Sequence, residues 1–458
     1  MISSSLYTQS FGNTQIAFAS IIVIIAMGLS KFLKLDLEKD FFIASLRTTV
    51  QLIAVGYILR WILQADTYWV NFLVLLVMTL VAAQAVTSRL KQKSFKIFAA
   101  ALLSLMGSTW PLGFLALYFF FHSEALRQTS FFIPFMGVVV GNALSSISLS
   151  FLGLQRLRAE NILEVETFKA LGANSLEACQ RLYRDILRNA LTPNLNGMTV
   201  VGIVSLPGVM AGQVIGGVDP LTAARFQILV MFLILLTAMV GSLIAMGLSH
   251  FFFMPPWFTD ENSNWSFKIP PGAKWALMGP SGTGKSRLLK SMTGIDLSSI
   301  RDDVKKSSNV SFEKTARRVC YVHQKSHFIP GTVEDNLLYP YQFKAHRSDR
   351  YNREFVLNLL NQLGLSEETL RKNAMTLSGG EGQLIHLIRA LQFHPRGLFL
   401  DEPTSSLDSQ RTALFEQLLD MWLAQGDHNL IFITHNKEQA VRFASQVLHL
   451  ENGSLRYV

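Results

Sequence analysis

Long apolar runs separated by short polar loops fill the first 255 residues of the chain, whereas the remainder mixes apolar and polar positions over short distances. A run of about 20 apolar residues can cross a bilayer as a helix, because a helix satisfies all its backbone polar groups internally. The pattern predicts seven spans, near residues 14–33, 42–63, 69–88, 97–121, 131–154, 194–217 and 226–253. We therefore expect an α-helical transmembrane bundle of about seven spans.

Basic residues distinguish the two sides of this bundle. They cluster in alternate loops, whereas the opposite loops hold only Arg60, Arg127 and Arg225 at or near their edges. The clusters are Lys31, Lys34 and Lys39, then Arg89, Lys91, Lys93 and Lys96, then Arg156, Arg158, Lys169, Arg181, Arg184 and Arg188. Because basic loops stay in the cytoplasm, we expect a multi-pass protein of the inner or plasma membrane, in contact with lipid. Its N-terminus would lie outside and its C-terminal half inside.

Polar side chains within the spans are candidates for a transport pathway, because they are costly in lipid. Arg47 and Gln51 lie one helical turn apart in the second span, Asn142 lies in the fifth and Gln213 in the sixth. For each of them the alternative is an interhelical hydrogen bond. For Arg47 another alternative is a guanidinium that reaches the membrane interface.

The stretch "SLPGVMAGQVIGGVDP", residues 205–220, is richer in Gly and Pro than a regular span. Pro207 removes a backbone hydrogen bond and so bends or breaks a helix. A broken helix at membrane depth is tolerated only where protein or a water-filled cavity covers it. We interpret Pro207 as part of a pathway or hinge, with a plain kink as the alternative.

The long loop at residues 155–193 lies on the cytoplasmic side of this topology. Its apolar residues recur at helical spacing and Gly172 interrupts them, which predicts a short helix, a turn and a second amphipathic helix. Two interpretations are open, a pair of helices in the membrane interface and a docking site for an ATPase domain.

Composition supports a division of the chain in two. Charged residues make up 16% of the sequence, below the roughly 25% of a typical soluble protein. Residues 1–255 hold 17 Lys and Arg and 11 Asp and Glu, whereas residues 256–458 hold 24 and 21. We predict a transmembrane domain at 1–255 and a soluble domain at 256–458. The net charge of +9 is explained by the basic loops, so we expect no nucleic-acid partner.

A glycine loop in "KWALMGPSGTGKS" indicates a nucleotide site. Gly279, Gly284, Lys285 and Ser286 match the fixed positions of G-x-x-x-x-G-K-[ST]. In such a loop the backbone N–H groups bind phosphate, Lys reaches the β- and γ-phosphates and Ser binds Mg²⁺. We therefore expect ATP and Mg²⁺. The expected nucleotide contacts are Gly279, Pro280, Ser281, Gly282, Thr283, Gly284, Lys285, Ser286 and Arg287.

Further motifs follow in order: "YVHQKSHFIPGTVEDNL", "TLSGGEGQ", "GLFLDEPTSSLD" and "LIFITHN". With them, residues 265–458 resemble an ABC-type ATPase, an α/β P-loop fold. The resemblance implies that the signature of one subunit faces the γ-phosphate bound by the other, and exposed N–H groups at a helix N-terminus do favour an anion. The signature residues are Ser378, Gly379, Gly380 and Glu381.

The resemblance also implies a role for each of several residues. Asp401 would bind Mg²⁺, Glu402 would act as general base on the attacking water, and His435 would contact the γ-phosphate. Gln324 would sense Mg²⁺ and the γ-phosphate, and Asp408 would lie at the dimer seam.

Some positions depart from the ABC pattern. Arg287 stands where Thr or Ser is usual, and Gly382 and Leu384 replace polar or basic residues. The strands and the adenine-stacking aromatic that normally precede the glycine loop have no clear match, and Trp257, Phe258 and Trp265 are the only possible substitutes in that region. We therefore expect a trimmed N-terminal β-subdomain.

The transmembrane half resembles permeases of the FetB iron-export type through "SLRTTVQLIAVGYIL", "PFMGVVVGNALSS" and "GIVSLPGVMAGQVIGGVDPLTAARFQI". The soluble half resembles their FetA partner, so the resemblance implies a permease and an ATPase fused in one chain. The resemblance implies ATP-driven export of iron or a related metal by a homodimeric half-transporter.

Two alternatives remain open at this point. In the first alternative, the transported cargo is a nucleotide sugar such as UDP-glucose, or another small solute. Otherwise the chain is a nucleotide-regulated membrane protein that does not hydrolyse ATP, which Arg287 and the trimmed subdomain favour and which Glu402 and His435 oppose.

Overall fold

The computed structural model describes residues 13–65, 67–91, 93–121, 124–253, 272–292, 319–451 and 454–457. Helices fill the first half. They are α1 Asn13–Phe32, α2 Glu38–Ala65, α3 Tyr68–Ser88, α4 Phe95–Phe121, α5 Glu124–Arg127, α6 Thr129–Glu160, α7 Ile162–Ala170, α8 Ser175–Val200, α9 Gly208–Ile215 and α10 Pro220–Phe253.

Five of these helices are long and apolar enough to cross a membrane, by length and composition. They are α2, α3, α4, α6 and α10, and α1 qualifies only as a shorter apolar helix over Ser20–Phe32. The prediction of a helical membrane bundle is therefore confirmed, with five candidate spans in the described residues where the sequence pattern suggested seven.

The predicted sixth span, 194–217, is wrong as a continuous helix. Helix α8 ends at Val200, a turn follows, and α9 begins only at Gly208. Pro207 precedes α9 in an extended conformation with φ −60° and ψ 141°, and Gly202 takes a left-handed φ of +83°. Glycine tolerates that conformation and proline cannot continue the backbone ladder, so the break expected in this stretch is present.

The chain divides into two compact units, one comprising 1–82 and 109–141, the other 83–108 and 142–458. In the first unit an aromatic cluster joins α3, α4 and α6. The Trp110 ring meets Phe72 edge-on at 5.2 Å, and its Nε1 donates to Thr79 Oγ1 at 3.1 Å. A buried indole is favourable when its N–H finds a partner in this way.

The second unit contains the soluble half and the helices next to it. Its six described strands are β1 Lys274–Met278, β2 Val319–Val322, β3 Gly397–Asp401, β4 Asn429–Ile433, β5 Gln446–Glu451 and β6 Ser454–Tyr457. They form one sheet in the order β2-β3-β4-β1-β5-β6, in which only the β5–β6 pair is antiparallel. Every residue of β3 is buried, as expected for a parallel strand covered on both faces.

Helices cover both faces of this sheet. They are α11 Lys285–Met292, α12 Val333–Leu338, α13 Arg353–Gln362, α14 Gly379–Leu391, α15 Ser409–Leu423 and α16 Lys437–Phe443. One buried apolar cluster includes Leu384, Leu398 and Phe415, and a second includes Trp275, Leu289 and Phe399. The α/β ATPase fold is thus confirmed. The expectation of a trimmed β-subdomain, with Trp257, Phe258 and Trp265, concerns residues outside those that the structure describes.

Candidate nucleotide site

The glycine loop connects β1 to α11 at the carboxyl edge of the sheet. Gly279, Gly282 and Gly284 have φ values of +144°, +82° and +91°. A Cβ on Gly279 would lie 2.3 Å from the carbonyl oxygen of Leu450, whereas a Cβ on Gly282 would meet nothing within 4 Å. Gly279 is therefore required by both conformation and space, and the loop curls over the N-terminus of α11.

The Lys285 ammonium lies inside this loop. Its Nζ donates to the carbonyl oxygens of Gly279 at 2.9 Å and Pro280 at 2.8 Å. Burial lowers the pKa of Lys285, and the carboxylates of Glu402 and Asp401 oppose that shift. The cation is therefore held within electrostatic reach of both acidic residues, on the loop that would carry phosphate.

Three predicted catalytic side chains meet at the ends of β2, β3 and β4. Gln324 Nε2 donates to Glu402 Oε2 at 2.8 Å, and His435 Nε2 lies 3.1 Å from Glu402 Oε1. The Glu402 backbone is left-handed, with φ +45°, and its N–H donates to Ile433 O at 3.2 Å. The fold therefore holds one carboxylate between an amide and an imidazole, the arrangement that a water-activating base needs.

Asp401 precedes this carboxylate and is buried at the end of β3. The Tyr321 hydroxyl donates to its Oδ2 at 2.7 Å. Burial, together with Asp401, raises the pKa of Tyr321 well above its ordinary value, so the phenol stays protonated and acts as a donor. Sequence reasoning missed Tyr321, and only its place on the neighbouring strand, paired with Phe399 two positions before Asp401, could have indicated it.

The donor set around Asp401 suits Mg²⁺. Its carboxylate, the Ser286 hydroxyl and the Gln324 amide oxygen are hard oxygen donors, which Mg²⁺ prefers together with phosphate and water. Tyr321 donates a hydrogen bond to one of the two Asp401 carboxylate oxygens, Oδ2. The residues present therefore fit the ion.

The signature opens helix α14 through a capping box. Glu381 N donates to Ser378 Oγ at 3.3 Å, and Ser378 N donates to Glu381 Oε2 at 3.0 Å. The backbone N–H of Ser378 and then the Lys372 ammonium lower the pKa of Glu381. A Cβ on Gly380 would lie 2.9 Å from the carbonyl oxygen of Ser406. The helix N-terminus is thus fixed with small residues at its surface, as an anion site requires.

Gln383 connects the signature helix to the catalytic loops, and sequence reasoning missed it. Its Nε2 donates to Ser405 Oγ at 3.1 Å and to Gln324 O at 3.4 Å, and its Oε1 accepts from Ser406 N at 3.2 Å. A polar residue at a buried position of an amphipathic helix is the signal that could have revealed it.

Asp408 caps helix α15 through a hydrogen bond from Arg411 N to its Oδ1 at 2.7 Å. A cleft of about 410 Å³ opens beside it, lined by Glu402, Ser405 and His435 among others. Two of the predicted catalytic side chains, Glu402 and His435, therefore face an accessible space. Arg287, on α11, stays a predicted nucleotide contact.

Helix α7 of the membrane half packs directly on the ATPase, which decides between the two interpretations of the 155–193 loop. The Phe168 side chain is buried, with its ring centroid 4.9 Å from that of Tyr339 and 5.8 Å from that of Phe343. Gly172 turns the chain at φ +93°, and a Cβ there would lie 3.0 Å from His346 Nε2. His346 Nε2 lies 2.9 Å from the Leu171 carbonyl oxygen.

Two carboxylates of α7 also pair with charged groups. Glu164 is fully buried and accepts from Arg181 Nε and Nη2 at 2.8 and 2.6 Å, with His327 Nε2 at 3.2 Å. Burial acts to raise the pKa of Glu164, but the His327 and Arg181 hydrogen bonds outweigh it and lower the pKa. Glu166 Oε2 accepts from Lys290 Nζ, on the phosphate-loop helix, at 2.8 Å.

The pathway candidates lie on separate helices. Arg47 and Gln51 are exposed on α2, Asn142 lies on α6, and Pro207 caps α9. The Gln213 Oε1 on α9 is buried without a described hydrogen-bond partner. Their part in transport stays a prediction.

A phosphate loop, a signature helix and the adjacent carboxylates of Asp401 and Glu402, attached to apolar helices, define an ABC transporter whose ATP hydrolysis is coupled to transport. The chain belongs to the uncharacterised protein family UPF0014, whose family model matches residues 13–253. The ABC transporter family model matches residues 262–405.

Similar proteins cover each half. A UPF0014 membrane protein of Synechocystis is 38% identical over 213 residues, covering 46% of this chain and 82% of that protein. The probable iron export permease protein FetB of Escherichia coli is 32% identical over 244 residues, covering 53% and 92%. The probable iron export ATP-binding protein FetA of Escherichia coli is 33% identical over 195 residues, covering 41% and 84%. The resemblance to the FetA and FetB type is confirmed.

Among solved structures, a dimeric ATP-binding cassette bound to ADP and phosphate is 25% identical and covers 42% of this chain and 88% of its own. Its TM-score is 0.35.

Proposed function

We propose that this chain exports iron or a related metal across the cell membrane, driven by ATP, as a homodimer. The permease domain would be residues 1–255 and the ATP-binding domain residues 256–458, on the cytoplasmic side. The two matched halves correspond to a permease and an ATPase that are named for iron export in Escherichia coli. The observation that carries the proposal is Glu402, held between Gln324 and His435 on the ATPase to which α7 is docked.

In this mechanism the glycine loop and the Lys285 ammonium bind the ATP phosphates. The signature of the second copy, Ser378 to Glu381, closes over the γ-phosphate, with Asp408 at the seam. Ser286, Asp401 and Gln324 would hold Mg²⁺, whose charge would offset that of the phosphates. Glu402 accepts the proton of the attacking water, and His435 stabilises the γ-phosphate as charge develops.

Coupling follows from the contacts of α7. Closure of the ATPase pair displaces the segment after Gln324, which includes His327, and the phosphate-loop helix, which includes Lys290. Both hold carboxylates of α7. The motion therefore reaches the membrane helices through Glu164 and Glu166.

The test is ATPase activity and transport with the full chain in lipid vesicles, with iron present and absent. We expect Glu402-dependent hydrolysis that iron increases, and iron movement that requires ATP. Hydrolysis that is indifferent to iron but responds to UDP-glucose would assign another cargo. Hydrolysis no greater than that of Glu402→Gln would exclude a pump and leave a regulatory protein.

A further inference from the structure

In the five described candidate spans, the charged side chains at least five residues from either helix end are all positive. The Asp, Glu, His, Lys and Arg residues found there are Arg47, Arg60 and Arg225.

Helix α2 carries two of these arginines and is the least covered span. No residue of its most apolar window of 18 residues is buried in the structure. Arg47 lies nine positions after Glu38, about 13 Å along the helix axis at 1.5 Å per residue, and is still farther from Ala65. The guanidinium is thus attached well inside the span.

Arg47 and Gln51 form one polar face on this helix. They are four residues apart, so they lie on the same side, and both are exposed. The neighbouring hydroxyls of Ser45 and Thr49 donate to backbone carbonyls of α2 at 2.7 and 2.9 Å. Arg47 and Gln51 have no such partner among the described residues, so their donors are available to a ligand.

We propose that the Arg47–Gln51 face of α2 binds the cargo and that the cargo crosses as an anion, so that a metal travels as an anionic complex rather than as a bare ion. This inference rests on the proposed transport function and narrows it. A guanidinium presents a planar fork of donors that matches a carboxylate or a phosphate. The same charge repels a bare divalent cation, whose preferred ligands are carboxylates and imidazoles. A lipid phosphate shares this chemistry and is the other source of an anion.

The experiment measures binding separately from turnover. The full chain carrying Glu402→Gln is placed in nanodiscs of zwitterionic lipid, and binding of radiolabelled ferric citrate is compared with binding of Fe²⁺ kept without a chelator. Arg47→Gln and Arg47→Lys are then added to this background. Arg60→Gln is the matched control, since it removes the same charge from the same helix about 140° around the axis from Arg47.

We expect ferric citrate to bind and bare Fe²⁺ not to bind. Arg47→Gln should raise the apparent Kd for ferric citrate about tenfold, a change of about 1.4 kcal/mol. Arg47→Lys should raise it less, and Arg60→Gln should leave it unchanged. Selective binding of bare Fe²⁺, equal binding by the Arg47→Gln and parent proteins, or binding of neither form would overturn the inference.

Two further comparisons separate the remaining explanations. If the Arg47 effect disappears when anionic lipid is added, the guanidinium serves a lipid headgroup and the inference is overturned. ATPase assays of the chain with intact Glu402 test the proposed function independently. Arg47-dependent citrate binding without any hydrolysis would retain the inference and reject the pump.

Discussion

Glu402 has a backbone conformation that residues other than glycine rarely adopt, with φ +45°. Such strain costs on the order of 1–3 kcal/mol and persists where the surrounding structure requires it. Here the left-handed turn brings the carboxylate to both Gln324 and His435. The strained backbone of Glu402 is therefore consistent with a base that the fold holds in position.

Replacing Glu402 by Gln should lower ATP hydrolysis by at least about 100-fold, because the amide cannot accept a proton from water. ATP binding should remain, since the phosphate loop is untouched. Steady-state hydrolysis and nucleotide binding by the same preparation check this. Glu438→Gln, at an exposed position of α16, is the control and should hydrolyse ATP normally. Unchanged hydrolysis in Glu402→Gln would assign the base elsewhere.

Gly279→Ala should damage the phosphate loop far more than Gly282→Ala. Both glycines have positive φ, so both substitutions bring the same kind of backbone strain. Only the Gly279 Cβ would strike the Leu450 carbonyl oxygen, at 2.3 Å. We expect Gly279→Ala to lose about 2 kcal/mol more in free energy of unfolding, measured by denaturant titration. Equal losses would mean that the loop moves away from β5 without cost.

At the scale of elements, helix α7 contacts two different parts of the ATPase through residues two positions apart. Glu164 pairs with Arg181 and His327, whereas Glu166 pairs with Lys290 on the phosphate-loop helix. The Glu166 and Lys290 side chains are 9% and 23% exposed. Charges buried to this degree depend on each other, because removing one leaves the other uncompensated.

A double-mutant cycle with Glu166→Gln and Lys290→Gln should give an interaction energy of about 1–3 kcal/mol in unfolding experiments. Cargo stimulation of hydrolysis should fall in each single variant and partly recover in the double variant. The exposed pair Arg353–Glu367, with side chains 44% and 56% exposed, should give less than about 1 kcal/mol. An interaction energy of zero between Glu166 and Lys290 would show that this pair does not link α7 to α11.

Two buried histidines should make the ATPase sensitive to acid. Burial lowers the pKa of His323 to about 3 and that of His386 well below its ordinary value, and Arg389 adds to both shifts. Both rings are therefore neutral in the folded state, whereas the unfolded state takes up protons below about pH 6.5. The contribution of these two neutral rings to the free energy of unfolding is present above that pH and is lost as the pH falls toward 3.

We expect each histidine to reduce the free energy of unfolding by about 1.4 kcal/mol between pH 7.5 and 5.5. Denaturant titrations at pH 7.5 and 5.5 measure the loss. His386→Gln removes one titrating group and should halve the loss due to this pair. The same pH dependence in His386→Gln and in the parent would contradict a neutral buried ring. The lowered pKa of Glu164 acts in the same direction, but only below about pH 4.5.

At the scale of the whole molecule, the proposed homodimer has two composite ATP sites. Each would combine the Lys285 loop of one copy with the Ser378 signature of the other. Lys285→Ala and Ser378→Arg should each abolish hydrolysis when expressed alone. Co-expression should restore up to about a quarter of the wild-type rate, because random pairing makes half the dimers mixed and each mixed dimer has one intact site. No recovery in purified mixed dimers would contradict a shared site.

The sequence predicted the parts of the site that lie in contiguous motifs. Gly279 to Ser286, the signature, and the Asp401–Glu402 pair are recognisable because their chemistry depends on local backbone shape. Gln383, Tyr321 and Lys290 were missed because their roles depend on contacts between distant segments, such as Tyr321 with Asp401 across neighbouring strands. Hydropathy predicted a continuous sixth span because it averages over Pro207, whereas the chemistry of Pro207 itself predicted the break that is present.

The short stretch of chain between Phe253 and Gly272 affects how tightly α7 has to bind the ATPase. That stretch has 18 residues, 254–271, and a chain of this length reaches at most about 60 Å. Such a tether keeps the local concentration of the ATPase near its own α7 in the millimolar range. Docking therefore need not be tight to keep the two halves together, and losing the contacts of Glu164, Glu166 and Phe168 would not separate the ATPase from the membrane helices.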